Sequence, residues 1–201
     1  MNDYLTEKRL KKIIEIIEYY NEYKKSPNDP NNPGKDDSNT LVLDFTNEAP
    51  MDFPYVDDIE TLNVVSYEGI DYNTMGCYDD GYQGVGNLNF ALKKIAGDDK
   101  VQSGENMPFF ANATAYDKAI KSVEIIVSSA TGGIDFYVDF PESAPQKITA
   151  GSEKGTKNSV AASKEATYKV ENKNGGKYFS ICASKAVGQW RKNGKLATIK
   201  I

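Results

Sequence analysis

The chain has 201 residues, of which 39% are hydrophobic, 26% charged and 11% aromatic, and this suits one domain of ordinary size with an appendage. It contains no histidine, which excludes serine–histidine–aspartate and cysteine–histidine nucleophile systems, histidine general bases and histidine-ligated zinc or iron sites. The formal charge is −5, with 5 basic and 18 acidic side chains in residues 41–143 and 12 basic and 3 acidic ones in residues 144–201. This asymmetry indicates either electrostatic steering of partners and subunits or an ordinary mixed surface.

An amphipathic helix is predicted in residues 1–25. Between Tyr4 and Tyr23, apolar side chains recur at helical spacing, and lysine, arginine and glutamate fill the other positions. The apolar face is too wide for a free helix, so the helix either packs on its own domain or associates with other chains. We favour association, as a homodimer, a homotrimer or a complex with a larger assembly such as a capsid. The residues expected at that interface are Leu10, Ile13, Ile14, Ile17 and Tyr20.

Residues 26–40 are predicted to be a flexible linker between this helix and the body of the protein. Their sequence, SPNDPNNPGKDDSNT, contains three prolines and no apolar side chain that could be buried. The domain boundaries that follow are a helix in residues 1–25, a linker in residues 26–40 and a globular domain in residues 41–201.

The location of the protein is predicted from segments that the sequence lacks. No stretch is long and apolar enough for a transmembrane helix, so we expect no membrane insertion. Glu15, Glu18 and Glu22 interrupt any hydrophobic region of a signal peptide. If Met1 is the true start, we expect the chain to act inside the cell that made it, or to leave by lysis within a larger particle.

The body, residues 41–201, is predicted to be an antiparallel β-sandwich of jelly-roll type, so the fold class is mainly β with one preceding helix. About ten short runs of alternating side chains are separated by turn residues. The most regular run is Lys121–Phe140, for which we expect a hairpin whose two arms pair antiparallel through a turn at Ala130–Gly133.

Three other stretches of the body are assigned from the same pattern. Residues 69–86, rich in glycine and tyrosine, are expected to be the least regular section. A weaker strand is expected at Gln146–Ala150. The last strand is expected to alternate strictly, with Ala197, Ile199 and Ile201 on its inner face.

The two cysteines, Cys77 and Cys182, lie too far apart in sequence to form a metal motif. A disulfide between them is one interpretation, and two buried reduced thiols that behave as small hydrophobic side chains are the other. The missing export signal favours the reduced thiols.

Carboxylates are the only side chains suited to acid–base catalysis in this chain. Asp135 and Asp139 lie on one face of a predicted strand, about 13 Å apart by strand rise, which is too far for a glycosidase pair. Glu124 on the neighbouring arm could approach one of them. We therefore expect no enzyme, and a glycan-acting hydrolase that uses Asp135 or Glu124 is the alternative.

No cofactor is expected, and Ca²⁺ is the one candidate metal. Acidic pairs in loops that contain glycine offer the oxygen ligands that Ca²⁺ prefers, although neither pair has the spacing of an EF-hand loop. The lysines of the C-terminal segment are scattered rather than clustered, so no nucleic-acid binding is expected. The candidate metal ligands are Asp79, Asp80, Asp98 and Asp99.

Aromatic side chains are the candidate ligand-binding residues. Tyr72, Tyr78 and Tyr82 fall in one glycine-rich stretch, and the single tryptophan, Trp190, precedes Arg191 near a predicted strand end. A sugar ring could stack on such rings while Arg191 holds its hydroxyls. In the other interpretation the rings cap the edges of the sandwich.

The order of the strands resembles a known group of domains. An opening LDFT strand, an irregular glycine- and tyrosine-rich section, KSVEIIVSS, GIDFYVDF, GGKYFSICAS and a final KLATIKI follow one another over Leu41–Ile201. This order is similar to that of carbohydrate-binding-module-like, galactose-binding-like β-sandwich domains of gut Bacteroidetes surface proteins. The resemblance implies a glycan-binding or purely structural role, with no catalytic residues to carry over.

The helix, linker and sandwich without an export sequence look like a virion component of a phage that infects such hosts. The resemblance implies a head fibre, decoration or tail-associated protein, made in the host cytoplasm and displayed for attachment at the virion surface. The alternative is a carbohydrate-binding module at the bacterial cell surface, if an export signal precedes Met1.

Overall fold

The part of the chain that a computed structural model describes is built from β-strands. It covers residues 40–46, 49–53, 61–79, 87–91, 106–130, 133–161, 164–185 and 193–201. Apart from Thr40, these residues belong to a compact unit that runs from Leu41 to Ile201. The strands are β1 (Val42–Asp44), β2 (Leu62–Tyr67), β3 (Ile70–Met75), β4 (Cys77–Asp79), β5 (Leu88–Ala91), β6 (Phe109–Asn112), β7 (Ser122–Ala130), β8 (Ile134–Asp139), β9 (Thr156–Val160), β10 (Ala166–Glu171), β11 (Ser180–Lys185) and β12 (Asn193–Lys200).

These strands form two antiparallel sheets. Sheet A has the order β10-β7-β12-β5-β4, and β1 pairs with the end of β12 that β5 leaves open. Sheet B has the order β2-β3-β6-β11-β8-β9. Because one continuous apolar core contains side chains from both sheets, the predicted mainly β fold and antiparallel β-sandwich are confirmed over the described residues.

The core forms because alternate residues of each central strand are apolar. In β8, Ile134, Phe136 and Val138 are buried while the residues between them are partly exposed. Phe90 of sheet A meets Phe136 of sheet B edge to face, with ring centroids 5.5 Å apart. Contacts of this kind stabilise a fold by about 0.5–1.5 kcal/mol beyond the burial of their area.

The hairpin predicted at Lys121–Phe140 is wrong, because its two arms belong to different sheets. β7 pairs with β10 and β12 in sheet A, and β8 pairs with β11 and β9 in sheet B. Both arms have an apolar face, and these faces meet across the sandwich instead of lying side by side. Residues 130–133 therefore connect the two layers.

The section predicted to be least regular, residues 69–86, begins with two strands, β3 and β4. β2 and β3 form a hairpin whose central residues, Glu68 and Gly69, have φ values of 49° and 78°, as a type I′ turn requires. Apolar and polar residues do not alternate along β3, because both faces of this strand are covered by other parts of the chain. Its polar residues Asn73 and Thr74 are as deeply buried as its apolar ones.

The strict alternation predicted for the last strand is also wrong. Leu196 lies opposite Val127 and Thr198 lies opposite Ile126, so Ala197 is an extra residue on β12 and forms a β-bulge. The bulge places both Leu196 and Ile199 in the core, three residues apart.

The outer face of sheet B is covered by residues 140–155, which connect β8 to β9 and are called the crossing loop below. The side-chain amide of Asn73 in β3 donates to the Pro145 carbonyl at 3.0 Å, and the backbone amide of Met107 donates to the Ile148 carbonyl at 2.6 Å. Of the strand predicted at Gln146–Ala150, one isolated bridge between Thr149 and Asn106 is present. Beneath the loop lies a second apolar cluster of Met75, Phe109, Ala111 and Cys182, with Ile148 packed on it.

The N-terminal predictions lie outside the described residues. These are the helix of residues 1–25, with Leu10, Ile13, Ile14, Ile17 and Tyr20 on its apolar face, and most of the linker of residues 26–40. They stay predictions from the sequence. Within the described ranges, no helix has the length and hydropathy needed to cross a membrane.

We expect Gly194→Ala to destabilise the sandwich because a Cβ at this position of β12 would overlap the buried ring of Phe136. The free energy of unfolding in urea should fall by about 1–3 kcal/mol. Gly176→Ala is the control, since its Cβ would make only ordinary contacts at 3.7 Å and beyond, and the expected change is within about 0.5 kcal/mol. Equal losses in the two variants would contradict the close packing of Phe136 on β12.

Candidate functional site

A cavity of about 330 Å³ lies between the crossing loop and the outer face of sheet B. Its floor consists of side chains from two neighbouring strands, Asp139 of β8 and Ser180 and Cys182 of β11. The crossing loop supplies the other lining residues, which are Pro141, Pro145, Lys147, Ile148, Ser152 and Lys154.

Two polar groups lie side by side on this floor. Asp139 and Ser180 are directly opposite each other in the pairing of β8 with β11, and cross-strand neighbours of this kind have Cβ atoms about 4.5–5.5 Å apart. Ser180 is only 4% exposed but lines the cavity, and its hydroxyl forms no hydrogen bond with another described residue. It is not one of the fully enclosed, unpaired side-chain atoms of the described residues, which are Thr74 Oγ1 and Asn89 Oδ1. The half-buried carboxylate of Asp139 likewise has no hydrogen bond or ion pair with any described residue. A hydroxyl and a carboxylate that line one cavity side by side can both form hydrogen bonds with a ligand there.

The third floor residue, Cys182, is not suited to act as a nucleophile. Burial, together with the nearby carboxylates of Glu153 and Asp139, raises the pKa of its thiol to about 12. Because the thiolate is the reactive form, this thiol stays protonated and unreactive near neutral pH. Cys77 is also buried, and burial raises its pKa; both cysteines are free, which confirms the prediction of two reduced thiols.

The shape of the crossing loop depends on two glycines. At Gly151, with φ +83°, the chain makes a turn in which the Ser152 amide donates to the Thr149 carbonyl at 2.9 Å. At Gly155, with φ +87°, the end of the loop lies directly on β8, so that a Cβ there would overlap the backbone of Val138 and Asp139. This second contact fixes the end of the loop next to the cavity floor.

The two lysines of the cavity wall are free of acidic partners. The ammonium groups of Lys147 and Lys154 form no ion pair within the described residues, and both side chains are exposed. By contrast, Lys157 on β9 pairs with Asp135 at 2.8 Å, and this contact raises the pKa of Lys157.

The aromatic side chains predicted to bind a ligand do not form a common binding surface in the described residues. Tyr72 is fully buried, stacks on Phe110 at 5.0 Å and shares a hydrogen bond between hydroxyls with Tyr116 at 2.9 Å. Burial raises the pKa of Tyr72 to about 12. This ring is a core side chain and presents no face on which a sugar could stack. Tyr78 lies in β4 with its backbone paired to Asn89.

Tyr82, Trp190 and Arg191 lie outside the described residues, so their role in ligand binding stays a prediction. The same holds for three of the candidate Ca²⁺ ligands, Asp80, Asp98 and Asp99, whereas Asp79 closes β4. Among the described side chains, no three of histidine, cysteine, aspartate and glutamate lie close enough together to hold a metal ion.

The carboxylate pair required by the hydrolase alternative is not formed. Glu124 belongs to sheet A and pairs with Lys200 at 2.7 Å, whereas Asp135 belongs to sheet B. Their neighbours Ile125 and Phe136 point into the shared core, so the two carboxylates lie on opposite outer surfaces of the sandwich. The expected approach of Glu124 to Asp135 is therefore wrong.

Sequence reasoning did not find the pair of Asp139 and Ser180. The sequence places Asp139 with Asp135 on one face of a predicted strand, and Ser180 lies inside a run of mostly apolar residues, KYFSICAS. The two meet only through the pairing of β8 with β11, which are about 40 residues apart in sequence. The local pattern contains no signal for this pairing.

Comparison with known proteins gives similar structures but no family. No protein-family model and no curated protein matches the chain. The solved structures similar to it include the CBM36-1 domain of a multidomain xylanase from the hindgut metagenome of Trinervitermes trinervoides, at 9% identity and a TM-score of 0.38 over 81% of this chain and 95% of that one.

Two further structures have the same level of similarity. One is the K1 cleaved adhesin domain of Lys-gingipain from Porphyromonas gingivalis W83, at 12% identity and a TM-score of 0.43 over 80% of this chain and 96% of that one. The other is a family 29 carbohydrate-binding module, at 13% identity and a TM-score of 0.37 over 80% of this chain and 87% of that one. At these identities and TM-scores, the similarity is no argument for a ligand of this chain.

We expect Gly155→Ala to destabilise the chain far more than Gly151→Ala. Alanine is strained by about 1–2 kcal/mol at either position, because both glycines have positive φ. Only at position 155 does the new methyl group also meet the backbone of β8, so a further loss of about 1–3 kcal/mol in the free energy of unfolding is expected in urea titrations. Similar losses in both variants would contradict the contact between the loop end and Asp139.

Proposed function

We propose that this chain is a non-enzymatic attachment protein whose β-sandwich binds glycans in the cavity beneath the crossing loop. The proposal rests on one observation, the hydroxyl of Ser180 and the carboxylate of Asp139 side by side on the floor of the cavity, where neither bonds to another described residue. Adjacent sugar hydroxyls can donate to the carboxylate and accept from the serine, and so satisfy both groups.

The size and walls of the cavity agree with a sugar ligand. A volume of about 330 Å³ is at the lower end of the range for small-molecule sites, which suits a single or terminal sugar ring better than a long chain. Ile148, Pro141 and Pro145 offer apolar surface to the C–H face of a ring. The floor is a pair of rigid strands, so the polar groups are held in place before the ligand binds.

Glycan binding should depend on the cavity floor. On a glycan array, Ser180→Ala and Asp139→Asn should each weaken binding by about tenfold or more, because the first removes a hydroxyl and the second replaces a charged acceptor oxygen with an amide donor. Asp117→Asn is the matched control, since Asp117 is exposed and does not line the cavity. It should bind like the wild type.

The same array tests the aromatic ligand-binding residues predicted from the sequence. If Trp190→Ala abolishes binding while the two floor variants bind normally, the glycan site lies at Trp190 and Arg191 and not in the cavity. If the wild type binds no glycan at all, glycan binding is refuted and a purely structural role is left.

We further propose that residues 1–25 attach the sandwich to a larger assembly, as in a head fibre, decoration or tail-associated protein at a phage virion surface. The support is the sequence pattern, in which an apolar helical face is followed by a proline-rich linker. Display of the same sandwich at a bacterial cell surface is the alternative, and the gene sequence upstream of Met1 distinguishes the two.

Ile17→Asp should reduce the oligomeric state of the full-length protein in size-exclusion chromatography with light scattering. A charge in the centre of the apolar stripe disfavours burial against another chain. Lys12→Asp introduces the same residue on the polar face and should leave the oligomer intact. An unchanged mass in both variants, or a wild-type monomer, would contradict self-association through the helix.

A further inference from the structure

We infer that the glycan bound in the cavity carries an anionic substituent, with a hexuronic acid as the favoured class. This inference rests on the proposed glycan binding and adds the charge and the orientation of the ligand. It is carried by the distribution of charged groups around the cavity.

The wall of the cavity presents two ammonium groups, those of Lys147 and Lys154. Lys147 and Lys154 line the same 330 Å³ space and have no ion-pair partner within the described residues. Other exposed lysines, such as Lys164, also form no ion pair within the described residues, so the position of Lys147 and Lys154 at the cavity is what distinguishes them. Both ammonium groups are available to a ligand in that space.

The floor has the opposite character. The carboxylate of Asp139 lies there, and the partly buried carboxylate of Glu153 in the crossing loop is near the same floor. The negative charge of Glu153 raises the pKa of the floor thiol of Cys182. A negative group placed against the floor would be repelled, and hydroxyls that donate hydrogen bonds would be favoured.

These two observations fix how a ligand lies in the cavity. Its hydroxyls face Asp139 and Ser180, and its negative charge faces Lys147 and Lys154. A hexuronic acid has this arrangement, because its carboxylate projects from C5 while its vicinal hydroxyls at C2 and C3 lie on the other side of the ring. A neutral sugar would satisfy the floor and leave both ammonium groups without a partner.

The test compares one sugar with and without its charge, using titration calorimetry on the full-length protein. Trigalacturonic acid should bind about five- to tenfold more tightly than its methyl ester, because an ammonium–carboxylate contact at a partly exposed site has about this effect. The difference should shrink as salt is raised.

Lysine variants assign the effect to the cavity wall. Lys147→Gln and Lys154→Gln should lower the affinity for the acid toward that for the ester and leave the affinity for the ester unchanged. Lys164→Gln is the matched control. Lys164 is exposed, forms no ion pair in the described ranges and lies beyond the end of the sandwich at which β8 begins, whereas Asp139 closes β8 at the other end.

The outcomes separate this inference from the function on which it rests. Equal binding of acid and ester, or equal losses for both ligands in the lysine variants, would overturn the anionic ligand and leave glycan binding in place. Binding of a sulfated oligosaccharide instead of the uronate, with the same loss in the lysine variants, would support the anionic substituent with sulfate as its source. No binding of any glycan, charged or neutral, would overturn both.

Discussion

The packing of the two sheets around one apolar core is the constraint on which the rest of the structure depends. β7 of sheet A and β8 of sheet B each lie next to the edge strand of their sheet, and both contribute their apolar residues to that core. Because Ile125 and Phe136 point inward, the residues between them point outward, and this fixes which side chains can meet a ligand. The alternation of two strands thus determines both the core and the chemistry of the outer surfaces.

Sheet B needs cover on both faces, and this second requirement creates the cavity. Its central strands have apolar side chains on the outer face as well, including the fully buried Phe109 and Ala111. The crossing loop shields them, but at Asp139 and Ser180 it lies over polar groups that it does not bond. The hydrogen bonds of the loop to the rest of the sandwich are made at Pro145 and Ile148, and binding residues commonly lie on loops that a rigid scaffold positions in this way.

The fold class was predictable from the sequence because alternation along a single strand is a local property. The runs in β2, β7, β8 and β10 were recognised as strands, and the mainly antiparallel sandwich followed from their number and spacing. Which strands pair is a non-local property. Two apolar arms on either side of the glycine-containing stretch Ala130–Gly133 are equally compatible with a hairpin within one sheet and a connection between two sheets, and only the packing of the whole body decides between them.

The same limit applies to the strands that the sequence did not reveal and to the candidate site. β3 lacks alternation because both of its faces are buried, and the bulge at Ala197 interrupts the alternation of inward and outward side chains that the sequence of the last strand predicts. The site was missed for a related reason, since Ser180 and Asp139 become neighbours only through the register of β11 on β8. Residue types and local spacing contain no information about that register.

The charge asymmetry of the sequence acquires a structural meaning at the crossing loop. The acidic segment ends at Ser143 and the basic segment begins at Ala144, so the change of sign falls within the loop itself. Asp139, on the floor, comes from the acidic side of this boundary, and Lys147 and Lys154, on the wall, come from the basic side. The two segments interleave elsewhere in the sheets, where lysines such as Lys157 and Lys200 pair with acids. At the cavity, the carboxylate of Asp139 and the ammonium groups of Lys147 and Lys154 line one space of ligand size. A bound molecule with hydroxyls at one end and a negative charge at the other would therefore be oriented by these groups.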